Sequence, residues 1–164
     1  MLLAGDVGGT NMRLALFEVE GEKLAERRRA RFPTRDFPTL HDALAGFLAG
    51  EKGIVAAAFG VAGPVRHGRA EGTNVAFSID AEEIRADLGV PAAVLNDLTA
   101  NAWGLAELLP ADFAVLNRGE ADPEGNGALI SAGAGLGEAI LFRTGGGFVP
   151  MPSEGGHASF APKN

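Results

Sequence analysis

The sequence predicts an α/β protein: a domain on a mixed five-stranded sheet, followed by the opening of a second α/β domain. Three observations carry this. Residues 2–32 read as three antiparallel strands in succession, a meander ended by Pro33 and Pro38. Two short apolar runs, 54–63 and 92–95, each lie between helical patterns, as strands joined by helical crossovers do. From Phe113 the composition shifts to glycine and short strands with no evident core of their own. The spacing places a boundary near Pro110, giving a first domain over 1–109 and a second segment over 110–164.

The first strand is expected at Leu2–Val7 and the second at Arg13–Glu20, with Gly21-Glu22 turning tightly into a third, Lys23–Phe32. Thr39 opens a helix. Leu40, Ala43, Leu44, Phe47 and Leu48 fall at i, i+3, i+4, i+7 and i+8, one apolar face, and Gly50 and Gly53 close it. IVAAAFGVAG, residues 54–63, is continuously apolar, which predicts a central strand covered on both faces. A polar loop with Gly68 and Gly72 follows. Asp80 and Glu83 give a capping-box-like start to a helix ending at Leu88. Ala92–Leu95 reads as a strand, and 98–109 as a helix stopped by Pro110. Beyond it, strands are expected at 114–116, 128–132 and 139–142.

At 164 residues the chain can hold one ordinary domain, or a small domain and part of a second. A net charge of −7 argues against nucleic-acid and anionic-membrane partners, which call for a basic patch. Arg27, Arg28, Arg29 and Arg31 lie in an alternating stretch and read as the exposed face of a strand. Without cysteine there is no disulfide framework, thiolate nucleophile or Cys-type zinc site. No apolar run approaches the ~20 residues of a membrane span. Met1 leads almost directly into the first strand with no signal-peptide pattern, so a cytoplasmic location is expected.

Four stretches carry candidate chemistry. GDVGGTN, residues 5–11, is a hairpin turn low in side chains, where glycine permits positive φ and close approach to a ligand. Successive amides in such a turn make an anion-binding concavity, although a plain turn explains the composition too. Asp6 would repel phosphate directly, but is suited to a divalent cation held through water between them. The patterns G-x-x-x-x-G-K-[ST] and G-x-G-x-x-G are both absent. LISAGAGLGEAILF, 129–142, repeats the order strand, glycine turn, strand, so two hairpins could face one nucleotide phosphate chain. In VLNDLTANAWG, 94–104, Asn96-Asp97 sits where a strand gives way to a helix, the place where ligands gather in open α/β sheets. Asp97 there serves equally as an N-cap or as the acceptor of a substrate hydroxyl's proton. In SEGGHASFAP, 153–162, Glu154 and His157 have Glu-x-x-His spacing, but Gly155-Gly156 disfavour the helix a metal site would need. Their groups suit a polyol, or plain solvation. His41 and His67 read as ordinary surface residues.

GDVGGTNMRLAL, GVAGPV (60–65), TN (73–74), LNDLTANAWG, GAGLGEA (133–139) and EGGHASFAP occur in the order found in bacterial glucokinases. The chain resembles that family, part of the hexokinase/actin-like ATPase superfamily, from residue 3 to its end. The resemblance implies a ribonuclease-H-like (actin/hexokinase) fold whose two domains close on ATP, Mg²⁺ and glucose. By position, Asp97 resembles the general base on the sugar 6-hydroxyl, and Asn74, Asn96, Glu154 and His157 the sugar-binding residues. Gly8, Gly9, Thr10 and Asn11 match the first phosphate hairpin with Asp6 near Mg²⁺, held through water. Gly133, Gly135 and Gly137 match the second.

Three departures stand out. Ala134 replaces a threonine usual in the second hairpin, Phe77 stands where tryptophan is common, and the family is about twice as long. The resemblance therefore implies the N-terminal portion of an ATP-dependent glucokinase, with little or no turnover alone and with homodimerisation open for the full-length protein. The alternatives are a non-catalytic sugar-binding or regulatory module of the same fold, or a kinase for another hexose.

Overall fold

A computed structural model describes residues 1–21, 23–70, 77–120, 122–132 and 135–158. The chain separates into two units, Met1–Asp97 and Leu98–Asn164, and each is described by itself.

In the first unit, alternating side chains build one buried face. Strand β1 (Leu2–Val7) pairs antiparallel with β2 (Asn11–Glu20), which pairs antiparallel with β3 (Lys23–Pro33). Leu3, Val7, Met12, Leu14 and Leu16 are essentially fully buried, whereas their neighbours Asp6 and Arg13 are exposed. That is the period-two pattern of a strand with one core face. A bulge between Leu16 and Phe17 shifts the register against β3. Gly21 takes a φ of 65° in the tight turn that brings Glu20 opposite Lys23.

Helix α1 (Leu40–Phe47) starts where Thr39 accepts a hydrogen bond from the Asp42 amide, and it buries Leu40, Ala43, Leu44 and Phe47. Strand β4 (Ala56–Val61) then returns parallel to β1, leaving Ala58 exposed. The expectation that 54–63 is covered on both faces is corrected here. Alternate residues of β4 point to opposite faces, and the helices of this unit join a core on one of them. Next come three short antiparallel strands, β5 (Val65–Arg66), β6 (Arg69–Ala70) and β7 (Ile79–Asp80). His67 and Gly68 have φ of 52° and 76°, the double left-handed turn of a two-residue hairpin, in place of the expected loop.

Asp80 caps helix α2 (Ala81–Leu88) by accepting from the Glu82 amide, and Gly89 ends it in a left-handed conformation. Strand β8 (Ala92–Asn96) pairs parallel with β4, completing a mixed sheet of order β3-β2-β1-β4-β8. The predicted five-stranded mixed sheet and α/β class are observed.

The second unit departs more from expectation. Helix α3 (Asp97–Gly104) stops at Gly104, with a 3₁₀ turn Leu105–Glu107 beyond it, where one helix to residue 109 was expected. Glycine in a helix interior costs roughly 1 kcal/mol relative to alanine, enough to end a short helix. The expected strand 114–116 is not formed; Val115 and Leu116 are exposed in irregular chain. Three apolar residues without a partner strand gain too little to order. Strands β9 (Gly127–Ala132), β10 (Leu136–Thr144) and β11 (Gly147–Ser153) form an antiparallel meander of order β11-β10-β9. Strand β11, which contains Pro150 and Pro152, lies where no strand was expected. It is an edge strand, and prolines two residues apart both place their missing N–H on the open side.

Candidate active site

Parallel pairing sets the first part of the site. Val7 lies opposite Val61, and Val61 opposite Asn96, so the carboxyl ends of β1, β4 and β8 form one row. At a strand spacing of about 4.8 Å, Val7 and Asn96 stand roughly 10 Å apart. The chain leaving each strand from this row is the first glycine turn, the loop at Gly63, and the start of α3 at Asp97. Ligands in open α/β sheets bind at such carboxyl ends.

The turn between β1 and β2 is closed by the Gly8 amide donating to the Asn11 carbonyl at 3.0 Å. Glycine is not used there for positive φ as expected: neither Gly5 nor Gly8 adopts one. Gly5 is required by packing. A Cβ on it would stand 2.6 Å from Phe59 Cε1 and nearer still to Cδ1, and 3.3 Å from Leu14 Cδ2. A Cβ on Gly8 would meet the Asn11 carbonyl at 3.2 Å. Gly9 and Thr10 are exposed. Asn11 accepts at Oδ1 from Arg31 Nε at 3.2 Å, so its Nδ2 group is the donor it retains for a ligand. Asp6 carries an ion pair with Arg13, its cross-strand neighbour, at 2.7 Å. Both side chains are more than half exposed, so the pair contributes little to stability.

At the end of β8, Asn96 Nδ2 donates to the Gly63 carbonyl at 3.1 Å and to Asp97 Oδ1 at 3.0 Å. Both amide hydrogens are thus engaged, one tying the β4 loop, at a left-handed glycine of φ 118°, to the β8 end. The other orients the Asp97 carboxylate. Asp97 is the first residue of α3 and half-buried.

In the second unit, Glu154 and His157 come together through a 3₁₀ turn, Gly155–His157, with His157 Nδ1 2.9 Å from Glu154 Oε2. Both side chains are exposed. The two glycines between them fit the turn against the start of β10. A Cβ on Gly156 would overlap the Leu136 carbonyl, and one on Gly155 would overlap the Glu138 carboxylate. Glu138, which no sequence pattern singled out, therefore borders this turn. Gly135 is exposed with open space about it, whereas a Cβ on Gly137, within β10, would lie 2.8 Å from Leu98 Cδ2. Gly137 thereby allows close approach of Leu98 to β10. Asn74 and Gly133, with Ala134, lie outside the described residues. Among the described residues no group of three or more acidic, histidine or cysteine side chains is arranged to hold a metal ion. Among them also, no helix is long and apolar enough to cross a membrane.

The family model for glucokinase matches residues 3–164. The chain belongs to the glucokinase family. Glucokinases of Nostoc punctiforme and Caulobacter vibrioides are 37% and 35% identical over 100% and 98% of the chain, and 49% of each relative is covered. A glucokinase of Chromobacterium violaceum is 38% identical over 99% of the chain and 47% of its own length. Among solved structures, a glucokinase from an Antarctic psychrotroph is similar at a TM-score of 0.83 and 31% identity, over 99% of this chain and 52% of that one. A Balamuthia mandrillaris glucokinase in complex with glucose shares the fold, at a TM-score of 0.64 and 22% identity over 99% of this chain and 50% of that one. The chain spans about half the length of the curated glucokinases it matches.

Proposed function

We propose that this chain is the N-terminal portion of an ATP-dependent glucokinase, with 1–109 as its first domain and 110–164 opening its second. The reaction would join the sugar O6 to the γ-phosphorus of ATP while the bond from that phosphorus to the β–γ bridging oxygen breaks. ADP leaves, and the 6-hydroxyl proton passes to Asp97. The observation that carries this reading is the row Val7, Val61, Asn96, which brings a side-chain-poor turn and an oriented carboxylate to one sheet edge.

Asn96 would hold the Asp97 carboxylate toward the hydroxyl, a placement of the kind that makes a general base worth about 10²–10⁴ in rate. Asn74, Asn96, Glu154 and His157 would bind sugar hydroxyls. Gly8, Gly9, Thr10 and Asn11 would receive ATP phosphates, as would Gly133, Gly135 and Gly137. The Asn11 amide and the nearby Arg13 and Arg31 suit an anion. Mg²⁺, when bound, neutralises phosphate charge, and Asp6 would hold it through water, a role that competes with its pairing to Arg13. A cytoplasmic location and homodimerisation of the full-length protein belong to the same reading.

Glucose-dependent ADP release by the full-length protein tests it. Asp97→Asn keeps the shape and an oxygen to accept from Asn96 but removes the base, so kcat should fall by about 10²-fold or more with little change in the KM for glucose. Retained turnover in Asp97→Asn would rule out Asp97 as the base. Faster turnover of a different hexose would reassign the substrate. The isolated 164-residue chain is expected to show little or no turnover.

A further inference from the structure

Thr34 is one of two buried polar residues among the described residues, 2% exposed in a 3₁₀ turn directly after β3. Its hydroxyl donates to the Gly8 carbonyl at 2.7 Å, and its backbone amide donates to the Thr10 carbonyl at 3.0 Å. One residue thus holds two carbonyls of the first glycine turn.

The consequence follows from peptide planarity. In a trans peptide the C=O and the following N–H point in opposite directions. Drawing the Gly8 oxygen toward Thr34 turns the Gly9 N–H away from it, and drawing the Thr10 oxygen in does the same for the Asn11 N–H. The 8–9 peptide lies between two glycines, the pairing least able to resist a flip unaided. A flipped peptide would offer carbonyl oxygen where an anion needs N–H.

We propose that Thr34 is a positioning residue for anion binding at the first glycine turn, holding the 8–9 and 10–11 peptides so that the Gly9 and Asn11 amides face the ligand. The inference rests on the phosphate reading of this turn given above. Thr34 touches no phosphate itself. It acts through the orientation of two peptides 24 to 26 residues earlier in the chain.

The test is a titration of the ¹⁵N,¹³C-labelled full-length protein with Mg·ATP at millimolar concentration, followed by NMR. In the unsubstituted protein the Gly9 and Asn11 amides should shift while the Gly8 and Thr10 carbonyls, held by Thr34, stay nearly fixed. Thr34→Val removes the hydroxyl that holds the Gly8 carbonyl but keeps the backbone amide on the Thr10 carbonyl, so it should weaken binding about tenfold through the Gly9 amide, whereas Thr34→Ser should restore it. Equal affinity in a folded Thr34→Val overturns the inference alone. So does a Gly8 carbonyl shift exceeding that of the Gly9 amide in the unsubstituted protein, a measurement that needs no variant to fold. Amides that do not respond in the unsubstituted protein overturn the phosphate reading of this turn, and the inference with it.

Discussion

Gly5→Ala separates packing from ligand binding within the glycine turn region. Gly5 lies in β1 opposite Leu14 on one side and Phe59 on the other, and Phe59 is fully buried in β4 between β1 and β8. The added methyl would stand 2.6 Å from Phe59 Cε1 and 3.3 Å from Leu14 Cδ2, whereas apolar carbons rest at about 3.5–4.0 Å. Cδ1 lies nearer still, so the ring must retreat by well over ~1 Å within a filled core. Overpacking of this kind costs about 1–3 kcal/mol, and a buried aromatic fixed by two strands belongs at the upper end. For a unit of this size, about 3 kcal/mol lowers the melting temperature by roughly 10–20 °C. Urea and thermal denaturation followed by far-UV circular dichroism measure it. Phe59→Leu in the Gly5→Ala background should recover at least about 1 kcal/mol of the loss, because the two changes meet in one space. A Gly5→Ala chain within about 0.5 kcal/mol of the original, or strictly additive losses in the double variant, would refute the packing argument.

Three further outcomes are expected. Phe47 is 1% exposed, edge-on to Phe32 at 6.3 Å and beneath the Arg28 guanidinium at 4.8 Å. Phe47→Ala should cost about 3–5 kcal/mol in urea denaturation, and a loss under about 1 kcal/mol would show that the helix face is not part of the core. The hydrogen bond from His41 to Asp87, and then the carboxylate's charge, raise the His41 pKa above its ordinary 6.5. The stabilisation from this pair is thus complete below about pH 6.5 and is lost as pH rises through the folded-state value. The gap in urea midpoint between the chain and Asp87→Asn should narrow from about pH 5 to pH 8, and a pH-independent gap would contradict the pairing. Gly156→Ala would drive a methyl into the Leu136 carbonyl. Amide shifts at 136–138 and 154–157, with the first unit's spectrum unchanged, should report displacement of the Glu154–His157 turn from β10; unshifted amides would place that turn elsewhere.

Local chemistry was legible in the chain where its partners are close in sequence. The three-strand meander, the apolar face of α1, the Thr39 and Asp80 caps and the strand-to-helix change at Asn96-Asp97 each depend on residues within a turn or two. The ordered motifs also point to the glucokinase family. What periodicity missed has identifiable causes. Pro150 and Pro152 hide β11 because a proline's fitness for a strand depends on which edge it occupies. Gly104 shortens a helix whose apolar pattern runs on past it.

The remaining features belong to the tertiary structure alone. Nothing near Gly5 in sequence announces Phe59, 54 residues later, so the glycine looked like a ligand feature when its neighbour is an aromatic ring. Thr34 carries no motif, yet it holds two carbonyls of the first turn from 24 and 26 residues away. Glu138 borders the Glu154–His157 turn only because β10 and β11 pair. The row of Val7, Val61 and Asn96 is a matter of strand register, set by which side chains must share one buried face. Sequence named the groups able to do chemistry, through residue type and short spacing. Their distances and orientations came from long-range strand pairing and packing, where no single stretch of chain holds both partners.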